Sequence, residues 1–321
     1  MRRLFLAFSL LCASAPVLWA DATVFVYHRF NDTKHASTSV SNAKLRADFQ
    51  YLKDNGYKVV RLSELANMLK EKRPVPPKTV ALTIDDDYKS FYTNGLPIFK
   101  EFGYPFTLYV YVKATQKGYG DYMSWEEIKT SSRYGEIGLH SYDHPHLTYL
   151  DDESIRNDTR KAAEIFQKNL GFAPKSYAYP YGEFDSRVKT LITAEGFDFV
   201  CNQNAGAVAA FSDPYDIERI AVTDDTNIKT KLKTEALEVK KFEVEAQKNR
   251  VTKVTATLTD TSLRSVEVYV SGYGWERVKV NNAKVSYNTD KALKFDRNRV
   301  IIKAGNKIAS KLIMKRKKNG Q

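Results

Sequence analysis

The chain has 321 residues, which is enough for one large domain and a smaller one. Its hydrophobic fraction of 43% is typical of a globular protein, and we expect no membrane-spanning segment after the N-terminal leader. The formal charge of +12 favours contact with anionic wall polymers or membrane surfaces, and the absence of a recognised nucleic-acid-binding motif argues against nucleic acid as a partner.

The N-terminal segment is typical of a secretory signal. Two arginines precede an apolar run over residues 4–11, and small residues follow it. We therefore expect residues 1–22 to form a signal peptide, with cleavage after Ala20 or after Ala22. The mature protein would then be periplasmic or extracellular and associated with the envelope; an uncleaved anchor is the alternative.

Residues 23–227 alternate strand-like and helix-like patterns. Residues 79–84 have the apolar alternation of a buried strand, and residues 217–222 are expected to form the last strand of this part. Residues 152–170 carry apolar side chains at helical spacing and are followed by Gly171. Repeated strand–helix units predict an α/β fold with a parallel sheet, open or closed into a barrel.

Residues 228–321 have a different composition. Lysine-rich alternating segments are separated by turn residues, which predicts a small, basic all-β domain. This part contains no histidine and no clustered carboxylates, so we assign it no chemistry. An anionic envelope polymer is one partner that its basic surface would suit.

Chemically useful side chains follow several predicted strands. Asp85 and Asp86 end the central strand, His28 ends the first strand, and His140 ends another. The carboxyl ends of strands are where α/β sheets and barrels place their sites. Together with Asp87, the two aspartates form a run of three carboxylates that is costly to ionise, and a bound cation removes that cost.

The histidines strengthen the expectation of a metal site. Three of the five histidines in the chain lie within residues 140–146, and His140 and His144 are four residues apart. Two imidazoles and one carboxylate are good ligands for zinc and leave positions open for water and substrate. The same ligands also suit non-haem iron in an oxygenase, so the ligand types alone leave the reaction open.

Three motifs occur in order: TIDDD (83–87), HSYDHPHL (140–147) and YPYG (179–182). They resemble the first three motifs of the polysaccharide deacetylases, the NodB-homology domain of carbohydrate esterase family 4. The resemblance covers about residues 22–226. It implies a distorted (β/α) barrel that hydrolyses an N-acetyl group on a sugar with the help of a divalent metal, zinc first, with cobalt or nickel as alternatives.

The resemblance also implies a role for individual residues. Asp85 matches the general base, and Asp86, His140 and His144 match the three metal ligands. The backbone N–H of Tyr181 matches a donor to the oxyanion. These roles agree with elementary chemistry, because a divalent cation polarises an amide carbonyl and lowers the pKa of water from ~16 towards ~7.

Two departures from the family pattern concern the neighbours of the base. Asp87 replaces the usual glycine of the first motif, and we expect it to be exposed rather than to support the site. Ala178 stands where the third motif usually has the arginine that orients the base. Arg219, in the last predicted strand, is our candidate for that role; an ordinary surface arginine is the alternative.

A third departure concerns the general acid. No histidine follows His146, so the family's usual acid is missing from its usual place. His28 is our candidate, because the first and last strands of a closed barrel are neighbours. In this respect the chain resembles the poly-N-acetylglucosamine deacetylase branch. His146 and His35 are weaker candidates.

Aromatic residues near the motifs are candidates for contact with a sugar. They are Tyr181 with Pro180, Tyr142 and Trp125, and in addition Tyr88 and Tyr122.

The sequence therefore predicts an exported metal-dependent deacetylase acting on a GlcNAc-containing polysaccharide, either poly-β-1,6-GlcNAc or peptidoglycan. The alternatives are a catalytically impaired polysaccharide-binding protein and an acetyl esterase acting on O-acetylated glycan.

Overall fold

The computed structural model describes residues 20–315. Most of the predicted signal peptide, residues 1–19, therefore lies outside the described residues. Within the described part, every helix is too short or too polar to cross a bilayer.

The first part of the chain forms a parallel sheet with helices around it. Its strands are β1 (Thr23–Tyr27), β2 (Arg29–Phe30), β3 (Ser39–Val40), β4 (Lys58–Val60), β5 (Thr79–Asp85), β6 (Thr107–Val110), β7 (Glu136–Leu139), β8 (Ser176–Ala178), β9 (Phe199–Cys201) and β10 (Ile220–Ala221). The main sheet has the order β10-β1-β5-β6-β7-β8-β9, and β4 pairs with the first half of β5. All seven residues of β5 are buried, as expected for a strand covered on both faces.

The two edges of this sheet approach each other. Ile220 pairs with Phe25 of β1, while Ile217 exchanges hydrogen bonds with Val200 and Asn202 at the end of β9. The residues predicted as one strand over 217–222 are thus divided between two neighbours, and only Ile220–Ala221 forms a strand. The sheet is the distorted (β/α) barrel that the sequence predicted, and its first and last strands are adjacent.

The helices follow the strands along the chain. They are α1 (Asn42–Asp54), α2 (Leu62–Lys70), α3 (Leu96–Phe102), α4 (Val112–Lys117), α5 (Trp125–Ser131), α6 (Asp152–Leu170), α7 (Ser186–Thr193) and α8 (Ile228–Lys231). Helix α6 has the predicted bounds. The Asp151 side chain accepts a hydrogen bond from the Ser154 N–H at its start, and Gly171 ends it at φ +84°.

The remaining strands form a second sheet, as the sequence predicted. They are β11 (Glu235–Ala236), β12 (Val239–Gln247), β13 (Arg250–Leu258), β14 (Ser265–Val270), β15 (Gly274–Asn281), β16 (Lys284–Ala292), β17 (Arg297–Ala304) and β18 (Lys307–Met314). Their order is β11-β18-β17-β14-β15-β16-β13-β12, and the inward-facing residues are mainly valines. The predicted domain boundary near residue 227 stays a prediction.

The second sheet packs against the carboxyl-end rim of the barrel. The Ser310 hydroxyl donates a hydrogen bond to the Ala205 carbonyl at 2.8 Å, and Arg299 donates to the carbonyl of Gln203. Arg297 donates to the Tyr181 carbonyl at 3.0 Å. These contacts place β17 beside the end of the barrel where the candidate residues lie.

Candidate active site

The aspartates of the first motif lie where β5 leaves the barrel. Asp85 is the last residue of β5, and Asp86 and Asp87 follow with φ of 73° and 40°. Positive φ is tolerated by aspartate better than by most residues, and here it turns the chain sharply at the strand end. Asp86 can therefore point into the rim while Asp85 remains in the strand.

His140 and His144 reach the same point from the end of β7. His140 follows β7 directly, and a turn through Ser141 and His144, both at positive φ, brings the second imidazole back. The Ser141 hydroxyl holds this turn by accepting a hydrogen bond from the His144 N–H at 2.8 Å. His140 and His144, four residues apart, are therefore brought together by a turn at the end of a strand.

Asp86, His140 and His144 form a compact triad. The Asp86 Oδ1 atom lies 3.4 Å from His140 Nε2 and 3.2 Å from His144 Nε2, and the two Nε2 atoms are 3.2 Å apart. Ligands at tetrahedral zinc bonds of ~2.05 Å are about 3.3 Å apart. Asp86 Oδ1 is also buried without a hydrogen-bond partner among the described residues. The triad therefore fits a divalent cation.

The protonation of the triad agrees with that fit. Burial lowers the pKa of His140 to about 4, so its imidazole is neutral near pH 7. Its Nδ1 lies 2.7 Å from the Ala178 carbonyl and must donate to it, which leaves Nε2 as the free lone pair. Burial raises the pKa of Asp86, but the facing imidazoles of His144 and His140 outweigh it, and the pKa lies below its ordinary value.

Asp85 has different partners. Arg219 donates to both of its oxygens, at 2.7 and 2.8 Å, and neither side chain is exposed to solvent. Arg219 is itself held by the Asn202 carbonyl at 2.7 Å and by the Thr83 hydroxyl at 3.1 Å. Burial raises the pKa of Asp85, but Arg219 and, next, His140 outweigh it and keep the pKa below its ordinary value.

The triad of Asp86, His140 and His144 opens onto one cavity of about 540 Å³. Its lining includes Asp86, both histidines of the triad and His28, which follows β1 and is partly exposed. The Asp85 Oδ2 atom lies 4.0 Å from His140 Nε2, just behind the cavity wall. The structure thus brings the predicted base, ligands and acid to one end of the barrel.

Comparison with known proteins agrees with this geometry. Residues 72–200 match the family model for polysaccharide deacetylases. This stretch of the chain is similar to the polysaccharide deacetylases. The match ends at residue 200, so the second sheet lies outside it.

Proteins similar to this chain include two that are named poly-β-1,6-N-acetyl-D-glucosamine N-deacetylases. The one from Staphylococcus aureus (strain MRSA252) is 26% identical in an alignment of 214 positions that covers 63% of this chain and 73% of that protein. The one from Escherichia coli (strain K12) is 25% identical in an alignment of 233 positions that covers 60% of this chain and only 34% of that longer protein. The solved structure of IcaB from Ammonifex degensii has a TM-score of 0.58 and 26% identity, and the match covers 64% of this chain and 93% of IcaB.

One departure from the family pattern behaves differently from our expectation. Asp87 is fully buried, whereas we expected it to be exposed. Its carboxylate accepts hydrogen bonds of 2.6 Å from both the Tyr111 N–H and the Thr115 hydroxyl. Asp87 therefore ties the loop after β5 to the segment that follows β6, a role that its place in an acidic run did not reveal.

Tyr181 lies beside the triad in a constrained conformation. Its φ is 59°, and its ring centroid is 4.3 Å from that of His144 and 4.3 Å from that of His146. His146 is stacked on this ring, and its Nδ1 lies 2.8 Å from a Glu183 oxygen. His146 thus packs under Tyr181 and takes no part in the triad, while the exposed His35 pairs with Asp32.

The aromatic candidates fall into two groups. Tyr88 and Tyr122 line the cavity with their rings 4.9 Å apart. The other candidates, Pro180, Tyr142 and Trp125, are not among its lining residues. Trp125 packs against the barrel core, and the Tyr142 ring centroid lies 3.7 Å from the Lys161 ammonium group. Their predicted contact with a sugar stays a prediction.

Several lining residues were not predicted. Gln203 donates to Asp85 at 3.2 Å from the loop after β9, and Tyr111 borders the cavity after β6. Arg297 and Arg299 line it from β17, in the part of the chain to which we assigned no chemistry. The only sequence signal that could have identified such lining residues is a position just after a strand. Tyr111 and Gln203 have such a position, but the two arginines do not.

Proposed function

We propose that this protein is an exported, metal-dependent deacetylase that hydrolyses N-acetyl groups of a GlcNAc-containing polysaccharide. The observation that carries the proposal is the joint placement of the Asp86–His140–His144 triad at the cavity and of the buried Asp85–Arg219 pair directly behind it. The names of the relatives favour poly-β-1,6-GlcNAc as the substrate, with peptidoglycan next. The sequence of residues 1–22 supports export.

Asp86, His140 and His144 would hold the cation, zinc first and cobalt or nickel as alternatives. When bound, the cation supplies Lewis acidity to the acetyl carbonyl and makes water a stronger acid. The carboxylate of Asp85 is proposed as the general base that removes a proton from the attacking water. Its two bonds to Arg219 keep it ionised and fix its direction.

The other steps need a donor to the oxyanion and an acid. We assign the first to the backbone N–H of Tyr181, whose unusual φ is held by packing against His144 and His146. An amine leaves readily only when it is protonated, and we assign that proton to His28 at the cavity wall. A free amine and acetate are the products.

The test is a substrate panel assayed for released acetate. It compares β-1,6-linked and β-1,4-linked N-acetylglucosamine oligomers, peptidoglycan and acetylated xylan, each with zinc, with cobalt and with chelator. We expect acetate to be released from an N-acetylglucosamine polymer, and we expect chelator to abolish this release and zinc to restore it. We expect the Asp86→Ala variant to contain no bound zinc. Release from the ester substrate alone would favour the esterase alternative, and polymer binding without release from any substrate would favour a binding protein.

A further inference from the structure

The second sheet contributes a wall to the cavity. Arg297 and Arg299 of β17 line it, and each donates a hydrogen bond to a backbone carbonyl of the barrel rim, at Tyr181 and Gln203. Gln203 in turn contacts Asp85. The arginines therefore join the second sheet to the residues of the proposed reaction.

These arginines lie on one face of the second sheet. Along β17, Val300 and Ile302 are buried in the core of that sheet, so Arg297, Arg299 and Ile301 point to the opposite face. The face continues away from the cavity into neighbouring strands. Tyr269 of β14 lies opposite Ile301, and it is close enough to the Arg299 guanidinium to influence its pKa.

The next strand adds a second aromatic ring. Trp275 of β15 lies opposite Tyr269, and the two ring centroids are 5.2 Å apart. Trp275 is 44% exposed, and the Lys303 ammonium group lies 5.1 Å from its ring. Since adjacent strands are ~4.8 Å apart, the two rings lie about 5 and 10 Å across the sheet from β17. A few sugar residues span that distance.

We propose that this arginine–aromatic face, made of Arg297, Arg299, Tyr269 and Trp275, binds the part of the glycan chain that extends beyond the sugar in the cavity. The inference rests on the proposed function and adds that the enzyme recognises a polymer. Guanidinium groups donate to sugar hydroxyls and acetamide carbonyls, and aromatic rings pack on the C–H faces of sugar rings. Continuity with the cavity makes the glycan the occupant.

Tyr273 provides a matched control for Trp275. It lies two residues away and is 38% exposed, but its ring contacts the ammonium groups of Lys291 and Lys294 rather than Tyr269. Glu276, next to Trp275, pairs with the same Lys291, which places that cluster on the other side of β15. Tyr273→Ala therefore removes an exposed aromatic ring without touching the arginine–aromatic face.

The experiment measures kcat/KM for a hexamer and for a dimer of the N-acetylglucosamine polymer. Trp275→Ala should lower the hexamer-to-dimer ratio about tenfold, the effect of one lost stacking contact, while Trp275→Phe retains most of it and Tyr273→Ala leaves it as in the wild type. An unchanged ratio in Trp275→Ala overturns the inference and leaves the proposed function standing.

A binding measurement separates the two proposals. The hexamer is titrated into chelator-treated wild type and Trp275→Ala by calorimetry, which needs no hydrolysis. A Kd about tenfold weaker in the variant supports the inference even when no oligomer releases acetate, a result that would overturn the proposed function alone. An equal Kd for the two proteins overturns the inference. Thermal melts verify that the exposed substitution leaves the fold intact.

Discussion

Asp85 and Asp86 are neighbours in sequence with opposite surroundings. Both oxygens of Asp85 accept hydrogen bonds from Arg219, whereas the buried Oδ1 of Asp86 faces two imidazole nitrogens. A carboxylate that accepts two hydrogen bonds from a guanidinium stays ionised, and its oxygens keep a fixed orientation. A carboxylate with a buried free oxygen is available to a cation. The two roles in the proposed reaction therefore follow from the partners of each residue.

Arg219→Met tests the role of Asp85. Asp85 has a lowered pKa in the folded protein because Arg219, with His140, outweighs burial, so activity is lost as the pH falls through that pKa. Without the guanidinium the pKa rises, and the acid limb of kcat/KM should move to higher pH. Breaking this buried pair should also cost about 3–5 kcal/mol of stability.

The control for this substitution is Arg187→Met. Arg187 is an arginine near the surface that pairs with Asp152, and its loss should change neither the pH profile nor the stability by more than about 1 kcal/mol. A folded Arg219→Met protein with an unchanged acid limb would contradict the role assigned to Asp85.

His28→Ala tests the general acid. We expect kcat for an N-acetyl substrate to fall by about 10²–10⁴-fold, because the leaving amine loses its proton donor. An acetyl ester with a good leaving group needs less help and should lose less. Zinc content should stay at the wild-type level, since His28 lies outside the triad. Equal losses on the amide and the ester would argue against this assignment, and His35→Ala is the control.

At the scale of elements, the loop after β5 is fixed by a side chain. The Asp87 carboxylate satisfies a backbone N–H of the segment after β6 and a hydroxyl of α4. The site is therefore held by contacts between neighbouring strand ends as well as by the strands themselves. In this chain the glycine of the family pattern has been exchanged for a residue that accepts positive φ and adds two hydrogen bonds.

Asp87→Gly therefore should destabilise the protein although glycine is the family residue. The backbone at φ 40° suits glycine, but the partly buried Tyr111 N–H loses its partner, which costs about 1–3 kcal/mol. Asp87→Asn keeps an acceptor for that N–H and should lose less. Urea denaturation of chelator-treated protein measures both. Equal stability of wild type and Asp87→Gly would show that the hydrogen bonds accepted by Asp87 do not stabilise the protein.

Local patterns predicted the elements that local chemistry determines. Helix α6 was predicted to the residue, because a side-chain cap at Asp151 and a positive-φ glycine at Gly171 mark its ends. The last strand was predicted too long, since residues 217–222 change neighbour from β9 to β1 within a few positions. Such a change depends on the closure of the barrel, which no local pattern encodes.

At the scale of the whole molecule, the parts of the site that depend on long-range packing could likewise not be predicted from local sequence patterns. Arg219 could be singled out because the resemblance implies an arginine that orients the base, Ala178 stands in its usual place, and Arg219 lies in the predicted last strand. Arg297 and Arg299 belong to a sheet whose docking depends on contacts such as that of Ser310 with Ala205. Nothing in their alternating strand sequence distinguishes them from the lysines and arginines on the other strands.

The contacts of residues 20–22 lead to a prediction about maturation. The Asp21 carboxylate accepts a hydrogen bond of 2.6 Å from the Ala236 N–H, joining the barrel to the second sheet. Ala22 is fully buried and exchanges two backbone hydrogen bonds with Val208, at 2.7 and 2.8 Å. Ala20 forms only an isolated bridge with Val75. Cleavage after Ala20 keeps the first two sets of contacts, and cleavage after Ala22 removes them.

Under the proposed export, we therefore expect the mature protein to begin at Asp21, which intact-mass measurement of the secreted form will show. A protein that begins at Thr23 should be about 2–3 kcal/mol less stable, because three hydrogen bonds of about 1 kcal/mol each are lost. Asp21→Asn, which keeps an acceptor for Ala236, should lose much less. A mature form that starts at Thr23 and melts at the temperature of the longer one would mean that these contacts contribute nothing to the stability of the protein.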